Sequence, residues 1–166
     1  GQRLFTNVAS APMGFGLPAA IGACFANGQK STICITGDGS IQMNLQELQT
    51  IVHHKLPIKI FMFNNQGYLS IKLTQENFFG GFRVGSCCAS GVTVPDMLKL
   101  AEVYGLATAK IENHSTLHEH IQSVLATPGP ILCEVMLDPF EKLSPKAFSE
   151  KKADGAIVSR PLEDLH

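Results

Sequence analysis

The sequence predicts an α/β domain of three layers, α/β/α, in which helices cover both faces of a mainly parallel sheet. Three observations predict it. Short β-branched or apolar runs alternate with stretches of helical period along the chain. Glycine or asparagine follows the first two of those runs, at Gly37-Asp38-Gly39-Ser40 and at Asn64-Asn65. The 166 residues, 45% hydrophobic and 16% charged, are enough to enclose one substantial core.

The elements follow in order. Pro12 to Asn27 is rich in Gly and Ala, with Pro18 at a first helical turn and Gly28 as a stop, which predicts a helix able to lie close against a sheet. Ser31 to Thr36 is a β-branched run suited to a central buried strand. From Ser40, Ile41, Leu45, Leu48, Ile51 and Val52 recur at spacings of three and four, predicting one helix that Pro57 terminates. Ile58 to Phe63 is the second strand, and the helix before it makes a parallel crossover the default.

Gln66 to Val92 carries Gly67, Gly80, Gly81, Gly85 and Gly91 with several aromatics, and reads as a long loop of the functional or partner-contacting kind. Pro95 to Tyr104 reads as a helix, Leu106 to Ile111 as a strand, Ser115 to Ala126 as a helix and Ile131 to Leu137 as a strand. We therefore expect a domain over residues 1–137. Residues 138–166, richer in Lys, Glu, Ser, Pro and Asp, are expected to form a tail packed on the domain or on a partner.

Composition narrows the function. With 13 Lys plus Arg against 14 Asp plus Glu and no dense basic stripe, the chain lacks the electrostatic footprint of a nucleic-acid binder. No apolar run approaches the roughly 20 residues of a membrane span, so no membrane partner is expected. Cys24, Cys34, Cys87, Cys88 and Cys133 are odd in number and lack C-x-x-C spacing, the pattern of reduced thiols in a cytoplasmic protein. The adjacent Cys87-Cys88 could form a redox or metal site, but no further ligands accompany it. His53, His54, His114, His118 and His120 read as solvated, and no nucleophile with a paired base stands out. The opening Gly1-Gln2-Arg3-Leu4-Phe5 carries neither a leader pattern nor an initiator methionine, so the chain is expected to be part of a longer polypeptide.

The chemistry concentrates at the two strand ends, where open α/β sheets place ligands. A carboxylate at Asp38 and a carboxamide at Asn64 or Asn65 are hard oxygen donors suited to Mg²⁺ or Ca²⁺. Amides opening a helix beyond Gly39 would attract an anion. Asp38 would repel a diphosphate unless a cation lay between them, so the pattern reads as a metal-diphosphate cradle. Taken alone, Gly-Asp-Gly-Ser is a common turn and Asn65 a common turn residue. Their placement on adjoining strand ends gives them weight.

Three segments together resemble the C-terminal, diphosphate-binding domain of thiamine diphosphate enzymes, in the acetolactate synthase, pyruvate decarboxylase and benzoylformate decarboxylase group. They are Ala11-Pro12-Met13-Gly14-Phe15-Gly16-Leu17-Pro18-Ala19-Ala20-Ile21-Gly22-Ala23, Gly37-Asp38-Gly39-Ser40 and Asn64-Asn65-Gln66-Gly67-Tyr68. The resemblance covers nearly the whole chain and implies the fold of that family. It implies that Asp38, the Asn65 side chain and the Gly67 carbonyl bind Mg²⁺, that Gly37, Gly39 and Ser40 hold diphosphate, and that Tyr68 and Leu69 lie along the cofactor. Met13 would be the catalytic residue that wedges beneath the two rings and bends the cofactor. Its N–H and the Ala11 carbonyl would bond the aminopyrimidine edge. Outside a matched motif, a lone methionine is ordinary core packing.

The implied activity is decarboxylation of a 2-oxo acid and transfer of the resulting acyl carbanion to a carbonyl acceptor, by a lyase or transferase. The family's activating glutamate belongs to a separate pyrimidine-binding domain, usually of another subunit, and nothing here matches it. The implied assembly is therefore a homodimer or homotetramer, with this chain inactive alone. Pyruvate decarboxylase-like members carry a glutamate six positions after the metal-binding asparagine; Ile71 stands there, which disfavours simple decarboxylation. Acetohydroxyacid synthases have a tryptophan three residues further on, where this chain has Thr74 and contains no Trp at all. The family label is thus acetolactate synthase-like, with the product open. A 2-oxo acid decarboxylase domain or subunit of the sulfopyruvate decarboxylase kind is the enzymatic alternative. A noncatalytic nucleotide-binding α/β module is the alternative of another class.

Overall fold

A computed structural model describes residues 2–7, 10–141, 144, 149–159 and 161. Helix α1 (Gly16–Ala26) leads into strand β1 (Thr32–Gly37). A short helix α2 (Asp38–Ile41), a 3₁₀ turn (Gln42–Asn44) and helix α3 (Glu47–His53) connect β1 to β2 (Ile58–Asn64). Helix α4 (Leu69–Phe78), a 3₁₀ turn (Cys88–Ser90) and helix α5 (Met97–Tyr104) precede β3 (Ala107–Ile111). Helix α6 (Leu117–Ala126) and β4 (Ile131–Met136) complete the domain, and β5 (Ser149–Lys151) pairs with β6 (Ile157–Ser159) in a separate antiparallel hairpin.

The four-stranded sheet runs β1-β2-β4-β3 with every pair parallel. Two apolar layers sandwich it, as the alternation of helices and strands predicts. On one face Leu17 and Cys24 of α1, Leu48 and Ile51 of α3, and Met97 and Ala101 of α5 pack on Cys34, Ile58, Ile60, Met62 and Leu132. On the other, Val124 of α6 with Leu117 and Ile121 packs on Phe61, Ile111, Ile131 and Cys133. At about 1.5–3 kcal/mol for each fully buried large apolar side chain, these layers supply the main force holding the sheet between its helices.

Lys59 of β2 is buried, and its ammonium donates to the carbonyl oxygens of Thr127 and, at 2.6 Å, of Gly129, gripping the turn between α6 and β4. Burial pushes its pKa below the ordinary lysine value.

Three expectations need correction. Among the described residues β1 lies at a sheet edge rather than in the centre. Its second face carries Ile33 and Ile35 at 52% and 61% exposure, because α6 covers only the strands beyond it. The helix expected from Ser40 to Val52 is broken into α2, a 3₁₀ turn and α3. The stretch from Gln66 to Val92 is not a loop throughout, since α4 occupies its first half.

Candidate functional site

The site forms at the carboxyl ends of β1 and β2, and the strand register makes it. Gly37 pairs with Phe63, so the chain leaves both strands at the same level, through Asp38 on one and Asn64 on the other. Asp38 is 1% exposed. Its two carboxylate oxygens accept from the amides of Gly39 at 2.8 Å and Gly67 at 3.0 Å. Burial pushes the carboxyl above its ordinary value, opposed by the amides of Gly67, Gly39 and Gln66 and by the charge of Lys72. Among the described residues, no ion pair neutralises it. A buried anion held by backbone amides, without an ion-pair partner among the described residues, is suited to receive a cation.

The paired asparagines have different work. Asn64 is structural: its Nδ2 donates to Glu134 at 2.7 Å, its Oδ1 accepts the Gln66 amide at 3.0 Å, and its carbonyl accepts the Leu137 amide at 2.9 Å. Asn65 instead keeps a buried Oδ1 that has no hydrogen-bond partner among the described residues. A buried acceptor left unpaired costs about 1–3 kcal/mol, which a bound donor or cation would recover.

The loop beyond is shaped for this. Gln66 and Gly67 both have positive φ, 58° and 139°, and the second is a conformation essentially reserved for glycine. Gly67 also forms an isolated antiparallel bridge with Cys87. The Ser86 carbonyl accepts the Tyr68 amide at 2.9 Å, and the Ser90 hydroxyl accepts the amides of Ser86 and Cys87. The segment from Gly85 to Ser90 thus backs the loop. Lys72 of α4, 4% exposed, donates to the Asn65 carbonyl at 2.9 Å and the Pro139 carbonyl at 3.0 Å, tying the loop to the chain that follows β4.

The first segment completes the site. The Tyr68 ring lies against the Cα of Gly39, where a Cβ would overlap it and would come within 3.5 Å of the Met13 methyl. Met13 remains 45% exposed, so packing does not consume it. Ala11 has a positive φ of 39°, a strained conformation for alanine. Leu69 begins α4, two residues beyond Gly67, and the first turn of that helix has no side-chain cap, which leaves its amides open to a ligand. Gly37, Asp38, Gly39, Ser40, Asn65, Gly67, Tyr68, Leu69 and Met13 are thus gathered from three segments. Sequence reasoning missed Asn44, Lys72, Ser86 and Ser90.

These donors fit Mg²⁺ held together with phosphates. Among the described residues no cluster of three or more His, Cys, Asp or Glu exists. One carboxylate and one carboxamide make an incomplete oxygen shell, which ligand phosphates and water would fill.

A parallel α/β domain with a buried carboxylate and an unpaired carboxamide at adjoining strand ends belongs to the class that binds anionic cofactors there. The chain belongs to the thiamine pyrophosphate enzyme family: the family model described as "Thiamine pyrophosphate enzyme, C-terminal TPP binding domain" matches residues 1–135. It is 42% identical over 133 residues to the acetolactate synthase large subunit of Cyanidium caldarium, covering 80% of this chain and 22% of that protein. It is 39% identical over 132 residues to the probable acetolactate synthase large subunit of Methanococcus aeolicus, with 80% and 22% covered. Identity to the acetolactate synthase isozyme 1 large subunit of Escherichia coli (strain K12) is 36% over 133 residues, with 80% and 23% covered. The chain thus spans about a fifth of the length of these relatives. The family the three motifs resemble is the family to which the chain belongs. Among the described residues no helix is long and apolar enough to cross a membrane.

Proposed function

We propose that this chain binds thiamine diphosphate through Mg²⁺ and serves a cytoplasmic acetolactate synthase-like enzyme that decarboxylates a 2-oxo acid and passes the acyl unit to a carbonyl acceptor. The observation that carries the reading is the buried, unpaired Asn65 Oδ1 in the loop whose Gly67 amide reaches the buried Asp38 carboxylate. Asp38, Asn65 and the Gly67 carbonyl would hold the metal. Gly37, Gly39 and Ser40 on one side, and Tyr68 and Leu69 on the other, would hold the diphosphate. When bound, the cofactor supplies the carbanion chemistry that no side chain provides.

The chain's own residues bind and orient. Met13, exposed beside Gly39 and Tyr68, would support the rings in a bent conformation, with its amide and the Ala11 carbonyl on the aminopyrimidine. Residues 1–137 would form the cofactor domain and 138–166 a tail against it or a partner. A pyrimidine-binding domain carrying the activating glutamate, in this or another subunit of a homodimer or homotetramer, would be needed for turnover. Ile71, aliphatic where a decarboxylase places its glutamate, supports transfer over simple protonation.

The test combines the chain with a pyrimidine-binding domain, Mg²⁺, thiamine diphosphate and pyruvate, with a second 2-oxo acid as acceptor. Release of CO₂ with formation of a hydroxy-keto acid is expected, and its loss on Asp38→Ala. Release of CO₂ with aldehyde as the sole product would replace transfer with decarboxylation.

A further inference from the structure

The Gly14 peptide is held at both ends. Its N–H donates to the Ser40 hydroxyl oxygen at 2.9 Å, and its carbonyl accepts from the Asn44 carboxamide at 2.9 Å. Gly14 has a φ of +89°, and a Cβ there would lie 2.7 Å from both Asn44 Nδ2 and Met43 Cβ, so the backbone is pressed against the turn that holds it. Both clamping residues come from the α2 and 3₁₀ region immediately after Asp38, a stretch at least 26 residues away in sequence. The next residue back along the chain is Met13. With its side chain half exposed, little besides its backbone fixes its place.

We propose that Asn44 and Ser40 are positioning residues that clamp the Gly14 peptide so as to hold Met13 beneath the ring end of the cofactor. The inference rests on the thiamine diphosphate reading of the site and adds two roles to it. Asn44 acts on the ring end alone. It donates to the Gly14 carbonyl, and its own Oδ1 accepts from the Gln46 carboxamide at 3.5 Å. Ser40 serves both ends. Its oxygen accepts the Gly14 N–H, and among the described residues its hydroxyl proton has no acceptor, so that proton is free for a phosphate oxygen. A hydroxyl that accepts from an amide is the better donor for doing so. Occupation of the diphosphate cradle would thereby tighten the Gly14 peptide, linking the two ends of the cofactor through one hydroxyl.

The test separates the ends by using two probes, thiamine diphosphate and inorganic pyrophosphate, each titrated with Mg²⁺ by calorimetry. Asn44→Ala should weaken thiamine diphosphate about tenfold, roughly the value of one neutral hydrogen bond, and leave pyrophosphate within about twofold. Asn44→Leu, of similar size but without the donor, should do the same and guards against misfolding of the alanine variant. Ser40→Ala should weaken both probes. In a Met13→Ala background, Asn44→Ala should have a smaller effect on thiamine diphosphate, because the side chain it positions is gone while the amide of residue 13 remains. Equal weakening of both probes by Asn44→Ala and Asn44→Leu, no weakening of either, or an undiminished loss in the Met13→Ala background would overturn the clamp. Failure of the unsubstituted protein to bind either probe would instead overturn the cofactor reading, and the clamp's role with it.

Discussion

Gly67→Ala should damage the protein more than any other single methyl addition at its glycines. Gly67 has a φ of 139°, where an alanine backbone is strained by about 1–3 kcal/mol. The added Cβ would overlap the Ser86 carbonyl oxygen and lie 3.2 Å from the Cys87 Cα. Both are main-chain atoms, so no rotamer change relieves the contact, and over-packing of that kind costs about another 1–3 kcal/mol. Ser86 is fully buried and its carbonyl holds the Tyr68 amide, so yielding there loosens the loop itself. The sum, about 2–6 kcal/mol, is a large part of the roughly 5–15 kcal/mol by which domains are stable. Thermal unfolding followed by circular dichroism would read it, as a fall in melting temperature of about 2–4 °C for each kcal/mol. Gly81→Ala is the control: its φ is 77° but a Cβ meets nothing within 4 Å, so only the backbone strain remains. Gly22→Ala, in α1 with open space around it, should stabilise by up to about 1 kcal/mol. A Gly67→Ala loss no larger than that of Gly81→Ala would refute the close-approach argument.

Other outcomes follow from the same structure. Lys59→Met should lower stability in urea by about 1–3 kcal/mol, because two carbonyls beyond α6 lose their donor. Burial pushes the Cys34 thiol up to about 12 and that of Cys133 to about 11, so under native conditions at pH 8 a thiol reagent should modify exposed Cys88 while sparing both until unfolding. Because the unfolded Cys34 thiol ionises near 9.0 and the folded one near 12, its contribution to stability is present below that window and should decline as pH rises through it. Burial also raises the Asp38 carboxyl, so the metal-free protein loses stability from this group as pH climbs through its folded pKa. Mg²⁺ requires the ionised form, and the stabilisation it brings with thiamine diphosphate should therefore be larger at pH 7.5 than at pH 5 in calorimetric melts.

Strands β1 to β4 and helices α1, α5 and α6 were legible because apolar periodicity and Gly or Pro boundaries mark them locally, whereas the β5–β6 hairpin lies in a stretch expected only as a tail. Helix α4 was not legible: its one buried residue is Lys72, so it has no buried apolar stripe to read, and the glycines beyond it suggest loop. The break between α2 and α3 was equally hidden. Ile41, Leu45 and Leu48 face the core whether or not a 3₁₀ turn tightens the chain between them. Nothing in a β-branched run says how many neighbours a strand will have, so the edge placement of β1 could not be read. At the site, residue types at strand ends were enough to find Asp38 and the asparagine pair, since register alone brings them together. Which asparagine stays free was decided by Glu134, a residue 70 positions away from Asn64. The bonds from Gly14 to Ser40 and Asn44 likewise span 26 and 30 residues. Contacts of that reach leave no periodicity behind.

Thermal unfolding with Mg²⁺ and thiamine diphosphate, together and separately, on the protein and on Asp38→Ala, tests the central claim most directly. At about 100 times the dissociation constant the pair should stabilise the folded state by about 2.7 kcal/mol, a rise in melting temperature of about 5–11 °C. The account predicts that this rise needs both components and disappears in Asp38→Ala. A rise given by thiamine diphosphate without metal, or one that survives Asp38→Ala, would contradict it.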